Sequence, residues 1–594
     1  MLNLLALSFE GELAPSLDLR CLAPGRKPPD GWGVGYYPGG EFAATLLKEA
    51  APQSGSIRSE LVKTWDPLES SIFMMHMRSA TWGPITEANT QPFCRSAWGR
   101  DWLLAHSGSL EQRLPTPPGA RFEPVGSTDS EALFCRLLDW MQEQGWRSLA
   151  EVDAPRLRGW LEEMNGLGPL TLVLSDGRDL CVYADRTGTT NCWLWQVSPP
   201  YERLIVGDAD LELDLTRRGA KSRKGIIVST HPLESRTEDP VTWKQLPPSA
   251  LVILRQGSVR AEVLPSRPPG PGAAPPASAA EFVARSRLRR PPVSPVRVMD
   301  VRHRTVYRYE RPVERSSHKL RLTPLHDRLQ SLLSHEVTLS SGVTQAEYED
   351  VFGNRVRKVL VDTPYTELII EARSLVELRD TDPLSYRPLR ERSTLPLVWM
   401  PWQRNMLQPY LLPPELPETQ LEELLEYAMS FARRNDFDLL DTLLDINFSI
   451  FKEYRYLQGS TTLMTTPFDV YSSRKGVCQD FANVFICLAR LLGVPARYTC
   501  GYVYTGPKHA NTAQSEASHA WVQVYLPEVG WKGFDPTNGI LTQTDHVRVA
   551  MGRQYADTTP TRGTIYLGGG GERLEVSVRC EPVEPERGER VDRT

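Results

Sequence analysis

The chain has 594 residues, too many for one hydrophobic core, and length alone predicts about three or four domains. A formal charge of -5 and a pI near 6.1 give no net pull toward nucleic acid or anionic lipid, so neither is an expected partner. The nine cysteines are widely spaced and contain no Cys-x-x-Cys pair. This sets aside a zinc or dithiol centre, fits a reducing cytoplasmic setting, and leads to no expected metal or organic cofactor.

In chain order, the opening MLNLLALSFEGELAP has a short apolar run but lacks the basic flank and small-residue cleavage site of an export signal. No stretch anywhere reaches the roughly 18 apolar residues of a membrane span. The strand-like pieces GWGVGYY, SSIFMMHMR, DWLLAHSG, LTLVLSD and RLIVGD then alternate with one clear helix, STDSEALFCRLLDWMQEQG. That helix opens on residues that cap well and stops at a glycine. These elements predict an α+β domain over residues 1–264. Gly31, Gly33 and Gly35 are read as turn and close-packing glycines, because no helix follows at the spacing of a nucleotide loop.

Residues 265–296 are rich in proline, glycine and alanine and read as a linker. The basic run Arg285, Arg287, Arg289 and Arg290 is its solvated charge. Residues 297–380 read almost entirely as strands, with FGN as a turn, and predict a small β domain. Residues 381–582 form the next domain. Within it Leu421, Leu424, Leu425, Ala428 and Phe431 recur at helical spacing, and the helical pattern continues into GVCQDFANVFICLARLLGVPARY. Two strands and a turn follow, and the charged tail 583–594 is expected to be disordered.

In GVCQDFA, Cys478 has two readings. Phe481, Phe485, Leu488 and Leu492 share its helical face, which makes it one member of a packing stripe. Its place in the first turn puts the sulfur beside unpaired N–H groups and the positive end of the helix dipole, where a thiolate and an oxyanion are both stabilised. Gly476 would leave room for a carbonyl to approach. A thiolate needs a base, and SHAWVQVYLPEVGWKGFDPTNG contains one. His519, Trp521, Gln523 and Tyr525 share one strand face, and the return strand brings Asp535 back beside His519. An even loop around PEVG would turn Asp535 away, so the register predicts an odd loop or a bulge.

GVCQDFA, GVPARYTCGY, SHAW and GFDPTN resemble the bacterial transglutaminase-like branch of the papain-type superfamily, and residues 297–378 look like that branch's N-terminal partner. The resemblance implies Cys478 as nucleophile, His519 as base and acid, and Asp535 as the orienting carboxylate, with Gln479, Asp480 and Trp521 shaping the substrate site. In the first half, DGWGVGYY, HMRSATWG, NTQPF, AHSG and STDSE resemble the glutaminase domain of class II glutamine amidotransferases, an N-terminal-nucleophile fold of αββα sandwich type. By that resemblance Arg78 would hold a glutamine α-carboxylate and Asp129 the α-amine, with Ser107 and Gly108 in the same pocket. Two positions depart from that family. Leu2 stands where it has cysteine, and Ser107 replaces its oxyanion asparagine, so this half is expected to bind a glutamine-like ligand without chemistry or to act as a scaffold.

The whole is expected to be a thiol-dependent amide or peptide hydrolase. A transglutaminase passing the acyl group to an amine, or a non-catalytic scaffold, are the alternatives. Relatives of the second half often accompany ATP-grasp peptide ligases, so the resemblance also implies a peptide or protein amide substrate and association with such a system.

Overall fold

Leu4–Leu13 and Ser70–Arg78 are almost uniformly apolar and buried, so neither has a face to give to water. In the computed structural model they pair at the centre of a seven-stranded antiparallel sheet, between Gly225–Ser229 and Gly31–Tyr36. The described residues are 3–64, 68–112, 114–216, 223–237, 241–265, 296–379, 393–462, 464–504, 518–527 and 529–583. Leu2, almost all of the proposed linker and all but the first residue of the proposed tail lie outside them. The chain divides into two compact units, Met1–Ser278 and Ala279–Thr594.

In the first unit a six-stranded sheet containing Arg100–Gly108, Leu170–Ser175 and Asp179–Tyr183 faces the seven-stranded one. Ala6, Met74 and Val228 from one sheet share a core with Leu103, Val173 and Val182 from the other. The helices Asp129–Glu143 and Ala154–Met164 cover the outer face of the six-stranded sheet. On the other outer face the helical layer is the short helix Ile57–Thr64, supplemented by a small four-stranded sheet. This is the αββα-type sandwich expected from the motifs. The helix legible in the sequence begins at a Thr128 cap that accepts from the Glu131 amide, and the chain turns away at Gly145 with φ +78°. Ala154–Met164, capped by Asp153, was not legible in the same way. Gly31, Gly33 and Gly35 lie within a strand rather than a turn. A Cβ on Gly33 would meet the Gln91 carbonyl at 2.3 Å, so close packing is their role.

The second unit is built on one 25-residue strand, Val296–Leu320. Its first part runs between Tyr365–Arg379 and Arg573–Pro582, and its last part between Arg355–Val361 and Thr561–Gly568. The boundary read from sequence therefore needs amending. Residues 561–582, placed there in the thiol core, return to complete the β domain, because both edges of the long strand need partners for their backbone groups.

Between these parts lies a five-stranded sheet in the order Ile540–Leu541, Gly530–Asp535, His519–Leu526, Ala496–Val503, His546–Gly552. Helices Glu418–Arg434, Leu439–Glu453 and Cys478–Leu491 pack with it in one core, where Phe485 meets Phe534 at 5.6 Å. Among the described residues no helix is long and apolar enough to cross a membrane.

The β domain grips the last strand of this sheet. Met299, Val301, Val376 and Leu378 pack on Val547 and Val549. The Gln330 side chain acts as a substitute peptide: it accepts from Arg548 N and donates to Arg548 O and Leu325 O, each at 2.8 Å. Removing it leaves buried backbone groups unpaired, so Gln330→Ala is expected to lower the unfolding free energy by about 2 kcal/mol, read by denaturant titration.

Candidate active site

The helix carrying Cys478 is terminated by chemistry at both ends. Asp480 turns back so that its carboxylate accepts from Val477 N at 2.8 Å and from the Thr461 hydroxyl at 2.7 Å. At the other end Gly493, with φ +74°, lets Val494 N reach Ala489 O. Asp480 N and Phe481 N donate to Val477 O, whereas the amides of Cys478 and Gln479 have no protein acceptor among the described residues. Cys478 is half-buried at this end, with Gln479 beside it. The half-buried Cys478 thus sits next to two free N–H groups at a helix N-terminus, the local arrangement that favours an anion.

His519 opens the strand His519–Leu526. Val522 pairs with Phe534 and Leu526 with Gly530, which leaves three residues in the connection. The loop is odd, as the predicted register requires, and Asp535 falls on the face of Trp521 and His519. His519 Nε2 lies 2.9 Å from Asp535 Oδ2, with both side chains buried. Since Nε2 is engaged, Nδ1 is the nitrogen left for Cys478, and the sulfur strengthens the ring's hold on its proton. Burial alone would push His519 toward the neutral form. Asp535 and the facing sulfur outweigh it and raise its pKa to about 10. Asp535 is held well below the usual carboxylate range. Burial opposes this, and His519 and His546 overcome it.

Asp535 accepts from further donors as well. Its Oδ1 takes Thr537 N at 3.0 Å and Asn538 N at 3.2 Å, and its Oδ2 takes Asn538 Nδ2 at 2.7 Å and His546 Nε2 at 3.1 Å. His519, Asp535 and His546 are also the set of described residues whose donor atoms, all within 4.8 Å of one another, have metal-ligand character. Hydrogen bonds among them already use those atoms, and the match of ring donors to a carboxylate acceptor accounts for the cluster without a cation.

Two expectations need correcting. Asp480 and Trp521 are buried, Asp480 by its capping role and Trp521 behind the histidine, where its ring stacks on His519 at 5.9 Å. Neither side chain can reach a substrate, and Gln479 is the one of the three left beside the sulfur. The space above Gly476 is likewise filled. A Cβ there would meet Asp480 Cβ at 2.8 Å, so this glycine admits the capping carboxylate rather than a substrate carbonyl.

Two residues near the site were not singled out from sequence. Tyr456 pairs with Gly476 in a two-residue bridge, and burial, then the nearby Cys478, push its hydroxyl pKa up. His546 follows Asp535 by eleven positions, and the alternation of HVRVAMG, with Val547 and Val549 turned to the β domain, was its available signal.

In the first unit Arg78, Ser107, Gly108 and Asp129 all line one cavity of about 300 Å³, together with Asn3, His76 and His106. Arg78 is buried and donates to the carbonyls of Trp82, Gly83 and Pro84. No carboxylate lies within ion-pair distance of it among the described residues, although Asp30 is near enough to favour its charged form. Asp129 Oδ2 accepts from Leu110 N at 2.8 Å, and its Oδ1 from the Ser130 hydroxyl. The two charged residues thus do not neutralise each other. Gly108, with φ +140°, is required because a Cβ would meet the Pro169 carbonyl at 2.0 Å. Burial lowers the His76 pKa to about 3 and moves His106 down as well, and His76 Nδ1 has no partner among the described residues.

Comparisons with known proteins follow the same division. The family model described as glutamine amidotransferases class-II matches residues 1–275, the bacterial transglutaminase-like N-terminal region matches 299–377, and the transglutaminase-like superfamily matches 430–536. An uncharacterised protein of Mycobacterium tuberculosis is 32% identical over 49% of this chain and 95% of its own length. The Escherichia coli protein YafJ, named as a candidate glutamine amidotransferase, is 30% identical over 37% of this chain and 82% of its own. Among solved structures, a candidate cysteine protease from Cytophaga hutchinsonii is similar over 49% of this chain and 93% of its own, with 21% identity and a TM-score of 0.40.

The buried pair fixes a pH dependence of stability. His519 is raised, so its contribution is fully present below its ordinary value of 6.5 and is lost as pH climbs through about 10. Asp535 is depressed, so its contribution is present above its ordinary value of 3.8 and is lost on acidification below it. Asp535→Asn is expected to cost about 3 kcal/mol. Chemical denaturation of both proteins across pH should show the largest difference between 3.8 and 6.5.

Proposed function

Because the chain belongs to the class-II glutamine amidotransferases in its first half and to the transglutaminase-like superfamily in its second, we propose that it is a thiol hydrolase of amide or peptide bonds whose first half binds a glutamine-like ligand without chemistry. A cysteine-based, amide-acting enzyme follows from the families alone. The observation that carries the finer reading is the buried His519–Asp535 pair beside the half-buried Cys478 at a helix N-terminus.

In this reading the Cys478 thiolate attacks the substrate carbonyl carbon. The oxyanion that forms is met by the free Cys478 and Gln479 amides. Collapse of the intermediate breaks the C–N bond, and His519, charged at neutral pH, gives its proton to the departing amine. The neutral ring then takes a proton from water as the water oxygen adds to the thioester. Breaking the C–S bond releases the acid and returns the sulfur. Water is the favoured acceptor because transfer to an amine requires a second recognition site that excludes water. Asp535 keeps Nε2 of the ring donating throughout, so that Nδ1 faces the sulfur.

In the first half, a buried guanidinium and a buried carboxylate, neither in an ion-pair contact among the described residues, lie on one cavity of about 300 Å³. These groups complement the α-carboxylate and α-amine of an amino acid. No cysteine lines that cavity among the described residues, which supports binding over catalysis there.

A chloromethyl ketone probe located by mass spectrometry, followed by a glutamine peptide with and without a primary amine, tests the thiol site. The expected result is label on Cys478, release of acid, and loss of turnover by at least about a thousandfold in Cys478→Ala. Amine incorporation would instead establish a transglutaminase, and absence of selective labelling a scaffold. For the first half, calorimetry is expected to show glutamine binding in the wild type and none in Arg78→Ala; no heat with the wild type would refute the ligand pocket.

A further inference from the structure

Asp535 does not serve His519 alone. The oxygen that accepts from His519 also accepts from His546 Nε2 at 3.1 Å, and His546 Nδ1 lies 2.7 Å from Asp545 Oδ1. A bare ring nitrogen and a carboxylate are both acceptors, so each of these contacts requires a proton on the nitrogen. With a carboxylate at both nitrogens, His546 carries both protons and is a cation. Burial opposes that charge, and Asp545 and Asp535 outweigh it. The buried network therefore holds two imidazolium rings on one carboxylate oxygen, their centroids 6.2 Å apart.

Like charges at this separation, screened little by water, weaken each other's hold on a proton. This bears directly on the chemistry. A lone buried His–Asp pair stabilises the imidazolium so strongly that the ring becomes a poor acid toward a leaving amine, whereas a second cation on the same oxygen restores part of that acidity.

We propose that His546 is a positioning residue of the thiol site, a fixed cation that pins Asp535 and loosens the proton His519 must release. This rests on the acyl-transfer reading above. The ring itself is held on the strand His546–Gly552, with Trp521 edge-on at 5.1 Å, and it lines a cavity of about 50 Å³. Among the described residues, the charged and titratable groups facing the two histidines are Cys478 on its helix, Asp535, Asp545 and, around that cavity, Lys532, Arg548 and Arg379. Arg548 is itself tied to Asp327 at 2.6 Å, which leaves Asp535 and Asp545 as the carboxylates that set the charge on His546.

Alkylation of Cys478 by iodoacetamide reads the sulfur and its histidine without a known substrate. The rate is measured against pH on the full chain for the wild type, His546→Gln and Asp545→Asn, with the modified residue located by mass spectrometry. The wild-type profile is expected to show an alkaline inflection where His519 loses its proton. His546→Gln keeps an amide donor for Asp535 but removes the charge, and should move that inflection upward by about one pH unit. Asp545→Asn, which loosens the lock on the cation, should move it the same way by less. A purely structural role would change rates and leave the inflection in place, so an inflection that stays or falls in His546→Gln overturns the proposal. Should that variant fail to fold by circular dichroism, Asp545→Asn decides on the same criterion. A wild type whose Cys478 reacts with no alkaline inflection overturns the acyl-transfer reading, and this proposal with it.

Discussion

One ionised carboxylate, kept where no water reaches it, organises the second half of the molecule. Asp535 is fully buried, and an isolated carboxylate there would take up a proton. It stays charged because five donors converge on its two oxygens: two imidazoles, one side-chain amide and two backbone amides. Each donor comes from a different constraint. The backbone amides belong to the turn that follows the carboxylate, His519 is delivered by strand register, and His546 arrives from a strand on the far side of the sheet. Loosening any of them raises the cost of the remaining charge.

That dependence gives the β domain a role in holding the carboxylate's partners. Among the described residues the strand bearing His546 pairs with one neighbour in its sheet, Ala496–Val503. Its other side is held by the β domain, through the Gln330 amide on Arg548, the Asn354 amide on Met551, and apolar contacts to Val547 and Val549. A side chain bonded like a peptide supplies what a further strand would have supplied. The long strand Val296–Leu320 that anchors this domain is closed by the terminal hairpin. The carboxylate thus depends on chain segments more than two hundred residues apart.

The parts of this arrangement that follow local rules were legible in the sequence. A helix beginning near Cys478, a strand whose odd-numbered residues are polar and aromatic, and an odd connection returning Asp535 to His519 all follow from local periods within about sixty residues. The rest was hidden because it is made by distant pairing. His546 becomes a partner of Asp535 only once its strand crosses to the outer edge of the sheet, beyond Ala496–Val503. Likewise residues 561–582 look like a continuation of the core until the unpaired edges of a strand near residue 300 are seen. Burial was the other hidden variable. Asp480 and Trp521 have the chemistry of site residues, but cap satisfaction and ring stacking turn both inward.

The two halves show how environment divides one residue type between two tasks. His519 faces a carboxylate, and its proton is held to about pH 10. His76 and His106 are just as deeply buried but hydrogen-bond to no carboxylate among the described residues: the ring nitrogens of His106 meet a hydroxyl and a carbonyl, and burial outweighs the more distant Asp129 and Asp185 there and takes His76 to about 3. A histidine with so low an affinity cannot hold a proton for delivery near neutrality, nor serve as an effective base. Among the described residues, the lining of the first cavity thus combines Arg78 and Asp129 with two histidines whose hold on a proton burial has weakened. The contrast between the histidines of the two units follows from which side chains the carboxylates touch.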